Sequence, residues 1–338
     1  MIIPYRTQCA LKRTAIVLLV LLVVAALALV CWFLWLDRFV VYTRDGGATL
    51  RFDLPHTFSP GVEAKPPVPE ETVSIYYNEG DNAIQTDTEL TQLAGYFVDK
   101  AALEKDISAV RAQIQALPAG TPVMVDVKSI YGNFFYSSNV SDRYSTKPDS
   151  AAMDELFAYM NARGLYTIAY LPAFRDYYYG LHHVSDGLPV KSGGYLWADE
   201  NYCYWLNPTS HGTLTFLIQI TNELRSLGFD EVVFYDFRFP DTNKIRFDGD
   251  KAEALASAAK TLVTTCATDR FAVSFASTNA NFALPEGRTR LYLLDVPAAN
   301  ADTVAQQTGL ADPAIKLVFL TNVHDTRFDV YSVLRPLG

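Results

Sequence analysis

Charge is scarce in this chain, and basic charge is the scarcer kind. Only 19% of the 338 residues are Asp, Glu, Lys or Arg, and the net charge is -9. A nucleic-acid partner requires a basic face, and the sequence offers none, so that class of function is excluded. Cysteine is also sparse: there are four, none in a Cys-x-x-Cys spacing. This argues against a zinc site. Adjacent His182 and His183 lack helical ligand spacing, so no metal is expected there either. No Gly-x-Gly-x-x-Gly or Gly-x-x-x-x-Gly-Lys loop follows a strand pattern, so neither a nucleotide nor any other cofactor is expected. Gly-x-Ser-x-Gly is absent too, and no nucleophilic triad is apparent.

One long hydrophobic run is present. Residues 14–36 carry no charge and are enough to cross a bilayer as a helix. Lys12-Arg13 abuts the run and Arg6 precedes it, which places the N-terminus in the cytoplasm. No small-x-small cleavage site follows, and Trp32, Phe33 and Trp35 resemble an interfacial aromatic belt. A retained signal anchor is therefore expected rather than a cleaved signal peptide. The resulting layout is a cytoplasmic tail (1–13), a transmembrane signal anchor (14–36), an extracytoplasmic linker (37–69) and a main domain (70–338). The membrane is thus one expected partner. Within the linker, 40–54 could form a hairpin about Asp45-Gly46-Gly47. Five prolines between 55 and 69 then make a semi-stiff spacer. Outside the cell a Cys203–Cys266 disulfide is conceivable, and spacing alone leaves it open.

From residue 93 onward strand and helix patterns alternate. Strands are expected at 96–98, 123–129, 165–171, 231–239, 271–276, 290–296 and 316–323. Helices are expected at 100–117, 150–162, 209–227, 251–268 and 301–309, with a last one at 328–334. Such alternation implies a parallel sheet with right-handed crossovers. The fold class expected is α/β, a (β/α)8-type TIM barrel behind an N-terminal transmembrane helix. Between 276 and 290 there is little room for a covering helix, so an irregular or incomplete ring is expected there.

Two strands end in an Asp-x-basic pair. In 122–129 the valines at 123, 125 and 127 form one face, while Met124, Asp126 and Lys128 form the other. In strand 231–239 the face of Val232 and Phe234 likewise carries Asp236 and Arg238, expected to point inward near the strand end. Burying four such ions without partners would cost several kcal/mol each, so they must meet one another, water or a ligand. Two carboxylates across a barrel rim are what glycoside hydrolysis requires, one as proton donor and one as base or nucleophile. The rival arrangement is a crossed salt-bridge layer, Asp126 with Arg238 and Asp236 with Lys128. A long loop, 172–208, holds nine aromatic residues from Phe174 to Trp205. Flat rings beside polar groups suit sugar rings, though they could equally form a small core of their own. Asp295 and Asp325 are two further carboxylates following strand patterns.

In chain order, Val123-Met124-Val125-Asp126-Val127-Lys128, Gly164-Leu165-Tyr166-Thr167-Ile168-Ala169, Phe174-Arg175-Asp176, Trp205-Leu206-Asn207-Pro208, Gly228-Phe229-Asp230-Glu231 and Arg238-Phe239-Pro240 resemble the bacterial DUF4015 glycoside hydrolase-like family, a TIM-barrel group. The resemblance covers about 93–240. It implies a glycoside hydrolase-like barrel. On the strand-face reading Asp236 and Asp126 are the expected carboxylate pair, with Arg238 and Lys128 orienting them; Tyr170, Trp197 and Trp205 would stack the sugar, and Asp295 and Asp325 would add carboxylates to the site. The chain departs from the family at Tyr235-Asp236, whose order is exchanged relative to Asp-Tyr, and at Asn207-Pro208, where the family has Asp-Pro. The exchange moves the carboxylate to the opposite strand face unless a bulge restores it. The expected function is hydrolysis of a cell-wall or surface polysaccharide outside the membrane. The alternative is a glycan-binding or envelope-scaffold domain without turnover.

Overall fold

The computed structural model describes residues 89–338, the pairs of short strands at 40–42 and 48–50, and four single positions nearer the N-terminus. The expected membrane helix at 14–36 lies almost wholly outside the described residues, as does a minor strand expected at 73–77. Among the described residues no helix is long and apolar enough to cross a membrane. Val40–Tyr42 and Ala48–Leu50 pair antiparallel, Val40 opposite Leu50, as the hairpin pattern predicts. The chain divides into two compact units, 1–81 and 82–338.

The second unit is a closed barrel of eight parallel strands. In chain order they are β1 (Ala94–Val98), β2 (Pro122–Asp126), β3 (Tyr166–Pro172), β4 (Glu231–Tyr235), β5 (Ala272–Ser277), β6 (Leu291–Leu294), β7 (Leu317–Leu320) and β8 (Ser332–Pro336). Each pairs with its sequence neighbours, and β8 returns to β1 with Val333 opposite Ala94. The strands are apolar on both faces, because one face fills the barrel and the other lies under helices. Met124, Ile168, Val233, Ala276, Tyr292, Val318 and Leu334 form the inner layer. Val123, Val125, Ala169, Val232, Phe234 and Phe275 face outward onto the helices.

Helices α1 (Lys100–Gln115), α2 (Ser150–Ala162), α3 (Tyr177–His182), α4 (His211–Ser226), α5 (Lys251–Cys266), α6 (Ala301–Thr308) and α7 (Pro313–Lys316) connect the strands. Asp99, Asp149, Asp176 and Asp250 each cap a helix start, accepting a backbone N–H from Ala102, Ala152, Tyr179 and Glu253. Capping of this kind satisfies a donor that the helix itself cannot.

Two expectations need correction. The chain end does not form a helix at 328–334; it supplies β8 instead. Val333 packs outward and Leu334 inward, so a run too short to show a clear period takes the extended form that closes the ring. The ring is also complete at the suspected gap. No helix covers 278–290, but Phe282 and Leu284 lie half-buried against the outer core there.

Closure demands close backbone approach at one place. A Cβ built on Gly95 would lie 2.1 Å from the Pro122 carbonyl oxygen on the neighbouring strand. Gly95→Ala is therefore expected to push β1 off β2 and cost about 1–3 kcal/mol. Urea denaturation checks this, and a stability within 0.5 kcal/mol of wild type would contradict it.

Candidate active site

Chemistry in a parallel barrel gathers where the strands end, and β2 ends in Asp126. Met124 lies in the inner layer, so Asp126, two residues on, turns the same way. It lines a cavity of about 500 Å³ with Phe97, Asp99, Tyr170, Asp295 and Asn322 among its walls. Asp126 Oδ2 accepts the backbone N–H of Lys100 at 2.7 Å. Burial pushes its pKa up to about 7, the Lys100 N–H opposing and the nearby Asp99 adding to the rise.

Asp236 reaches the mouth by a different route. Strand β4 stops at Tyr235, short of the 239 expected from sequence. Val233 and Tyr235 point inward, whereas Val232 and Phe234 point out, so strict alternation would put Asp236 beneath the helices. Asp236 instead adopts φ 48°, a left-handed conformation rare outside glycine, and this breaks the alternation. Its Oδ1 lies 3.5 Å from Arg238 Nη2 and its Oδ2 3.7 Å from Arg175 Nη1. Burial raises its proton affinity, and the two guanidinium groups oppose the rise.

Two tyrosines tie the carboxylates together. Tyr170 and Tyr235 are ring neighbours, with centroids 4.6 Å apart. Both phenols are held well above their usual pKa, chiefly by burial and then by repulsion from Asp126 and Asp236. Tyr170 also feels Asp295. Asp295, at φ 58°, sits exposed at the end of β6 and lines the same cavity. Asp126, Asp236, Tyr170, Asp295 and Arg238 thus gather at one end of the barrel.

Four other expected site residues lie elsewhere. Lys128 does not meet Asp236: it makes a buried ion pair with Asp176 at 2.5 Å, its ammonium 5.7 Å from the Phe134 and Phe216 ring centres. The strand ends at Asp126, so alternation no longer governs Lys128. The crossed salt-bridge layer fails with it, since Arg238 pairs with Asp236. Trp205 is only 2% exposed, with the Arg175 and Arg238 guanidinium groups over its ring, so it offers no open face to a sugar. Trp197 lines a separate groove with Tyr195 and Tyr204. Asp325 is spent locally, capping the turn at 326–328 and pairing with Arg327, which draws its pKa down to about 2. Much of the aromatic loop joins the outer core of the barrel and forms no separate core: Phe174, Leu188, Trp205 and Leu206 belong to it, and Tyr179 stacks on both His183 and, from α4, Phe216. Cys203 and Cys266 are both buried free thiols, so no disulfide joins them.

Sequence reasoning missed Arg175 and Asp199. Arg175 Nε lies 2.5 Å from Asp199 Oδ2, and Asp199 also accepts the Trp205 indole N–H at 3.1 Å. Arg175 was visible as part of the Phe174-Arg175-Asp176 element of the resemblance but was given no role, and Asp199 only as charge inside an aromatic loop.

Relatives were compared against this geometry. No curated protein matches the chain in sequence. Among solved structures, a hypothetical protein from Ruminiclostridium thermocellum aligns at 18% identity over 54% of this chain and 96% of that one, with a TM-score of 0.45. An inactive variant of the GH20 exo β-N-acetylglucosaminidase from Vibrio harveyi aligns at 10% identity, covering 72% of this chain and 50% of that one, with a TM-score of 0.50. The glycoside hydrolase domain of PelA from Pseudomonas aeruginosa aligns at 12% identity over 74% and 96% of the two chains, with a TM-score of 0.44. The chain spans about half the length of that Vibrio enzyme, and the likeness is one of fold alone. The sequence family described as "Putative glycosyl hydrolase domain" (DUF4015) matches residues 98–274, the stretch from the end of β1 into β5 that carries both Asp126 and Asp236. With just over half its length matched, the chain belongs to that glycosyl hydrolase domain family.

Proposed function

We propose that the barrel hydrolyses glycosidic bonds of a cell-wall or surface polysaccharide, on the outer side of a membrane to which residues 14–36 tether it. The observation that carries this reading is the pairing of two unlike carboxylates around one tyrosine pair. Asp126, with its pKa near 7, keeps a proton under mild conditions. Asp236 lies between two guanidinium groups that favour its anion. An acid and an anion set apart by their surroundings divide the labour that glycoside hydrolysis needs.

Asp126 gives its proton to the glycosidic oxygen as the bond from that oxygen to the anomeric carbon breaks. Asp236 either attacks that carbon or takes a proton from the water that does. Water supplies the hydroxyl left on the anomeric carbon, and its remaining proton restores the carboxyl that was spent. Tyr170 and Tyr235 form the wall along which the sugar lies, and Asp295 stands at the rim. The uncharged run at 14–36, flanked by Lys12-Arg13, supports an anchor with the barrel outside.

The full-length protein incubated with purified cell-wall and capsular polysaccharides is expected to release reducing ends from at least one of them. Asp236→Asn is expected to bind that polymer but cleave it at least about 100-fold more slowly. Binding by wild type without any release would replace hydrolysis with glycan recognition.

A further inference from the structure

Arg175, one of the two guanidinium groups beside Asp236, is held differently from the other. Its guanidinium group has three neighbours. Nε faces Asp199, Nη1 faces Asp236 Oδ2 at 3.7 Å, and the plane stands over the Trp205 indole, 5.9 Å from the ring centre. Asp199 is itself immobilised. Besides its ion pair with Arg175 it accepts the Trp205 indole N–H and the backbone N–H groups of Asn201 and Cys203. A carboxylate held by those three donors cannot follow a moving partner, so the charge that Arg175 pairs with stays in place. Arg175, kept beside it, presents Nη1 to one oxygen of Asp236.

The other oxygen of Asp236 faces Arg238, which is held far less firmly. The Arg238 side chain is 50% exposed, against 15% for Arg175. Its Nη1 donates to the adjacent Phe239 carbonyl at 3.3 Å, and its guanidinium lies on the Trp205 ring. Asp236 therefore lies between a built-in arm and an arm that can exchange its partner for solvent or substrate.

We propose that Arg175, braced by Asp199, is a positioning residue that holds Asp236 in its working orientation as an anion, while Arg238 is the arm that yields to substrate. This rests on the reading of Asp236 as the anionic member of the catalytic pair. The charged and titratable groups around Asp236 come from several elements. Arg175 and Asp199 belong to the loop after β3, and Arg238 to the loop after β4. Asp126 on β2, Tyr170 on β3, Tyr235 on β4 and Asp295 after β6 share the mouth. Burial and the Asp199 charge both favour a proton on Asp236, so the two guanidinium groups alone oppose them. Arg238 is the nearer charge, at 3.5 Å against 3.7 Å, but its half-exposed side chain can exchange Asp236 for water, whereas the more buried Arg175 stays beside the carboxylate.

Carbodiimide coupling to an amine tests this without any substrate, because it labels a carboxyl group through its protonated form. Labelling at Asp236 is followed against pH in the full-length protein by peptide mass spectrometry. Arg175→Gln is expected to move the labelling midpoint up by about one pH unit. Arg175→Lys keeps the charge and is expected to restore the midpoint to within about 0.3 unit. Arg238→Gln, at an exposed side chain that folding does not need, is expected to move it by less than about 0.3 unit.

A midpoint unchanged by Arg175→Gln overturns the proposal. So does a full-unit shift in Arg238→Gln, which decides the matter even if Arg175→Gln does not fold. Where wild type cleaves a glycan, Arg175→Lys should lower kcat about tenfold with KM unchanged, because it loses the planar fork. Wild-type kcat in that variant would remove the orienting role. The labelling shift stands whether or not any glycan is cleaved, so a failure of the hydrolase reading is seen separately.

Discussion

Asp126→Asn is expected to lower glycan turnover about 100- to 10,000-fold, the usual cost of removing a general acid. The wild-type pH profile should show why. Asp126 keeps its proton until the pH approaches about 7, so kcat/KM should fall as pH rises through that value. In the variant that basic limb should vanish from whatever activity is left. The same substitution should raise stability under alkaline conditions. The folded-state pKa of Asp126 lies above its unfolded value of 3.8, so the native state binds the proton more tightly. The resulting stabilisation is complete below about pH 4 and is lost as pH climbs to about 7. At pH 8 the wild type holds a poorly solvated charge that the amide lacks. Asp126→Asn should then be more stable by about 1–3 kcal/mol, after discounting for the carboxylate's contact with the open cavity. Urea denaturation at pH 5 and pH 8 measures this. An unaltered basic limb, or a variant less stable than wild type at pH 8, would remove Asp126 from the role of acid.

At the opposite end of the barrel, Arg290→Met is expected to cost about 3–5 kcal/mol. Glu231, the first residue of β4, and Arg290, just before β6, form a fully buried ion pair. Every acceptor position of Glu231 is occupied. Tyr166 OH donates to Oε2 at 2.9 Å, while Ser274 Oγ and Tyr292 OH donate to Oε1 at 2.5 and 3.0 Å. Arg290 in turn donates through Nη2 to the Thr91 carbonyl at 2.8 Å, and through Nε to that of Ile315. Methionine replaces the bulk of Arg290 but abandons the Glu231 charge in a dry interior. For a unit of this size such a loss lowers Tm by about 10 °C. The double variant Glu231→Leu with Arg290→Met removes both charges and should regain most of the loss, since hydrophobic replacements of a whole buried pair are often tolerated. Calorimetry on the single and double variants reads both effects. A single variant within about 1 kcal/mol of wild type would show the pair to be incidental. Because the pair lies at the foot of the barrel, glycan turnover well below the melting temperature should not change.

The two ends of the barrel differ in how plainly the sequence announced them. Asp126 could be placed by counting alone: Met124 and Asp126 share a parity on a strand whose valines fill the other face, and the structure keeps that parity. Tyr170 keeps the inward parity of Ile168, whereas Asp295 shares the outward parity of Leu291 and Leu293 and reaches the cavity only through its own left-handed turn at φ 58°. Asp236 could not be placed this way. Its sequence puts it on the helix-facing side, and only the left-handed turn after Tyr235 brings it to the mouth. There Asp236 meets one guanidinium group from its own stretch, Arg238, and one from the long loop before it, Arg175. Lys128 failed for a related reason. Its strand ends at Asp126, two residues before it, and its ammonium then finds Asp176, 48 residues on, rather than the mouth. The tryptophans of the long loop signalled aromatic surface, but Trp205 is covered by guanidinium groups that come from two different loops.

What the sequence by itself determined is the succession of strands and helices, the apolar run ahead of them, and the residues whose orientation follows from a period of two or 3.6. These are short-range properties, set by backbone sterics and by which faces must leave water. The tertiary structure alone decided that β8 replaces a terminal helix, which charges pair, and that Asp236 leaves the alternation of its strand to lie between Arg175 and Arg238. Those outcomes depend on groups far apart in the chain. A buried charge has too high a desolvation cost to stay where local geometry leaves it, so it goes where folding brings it a partner.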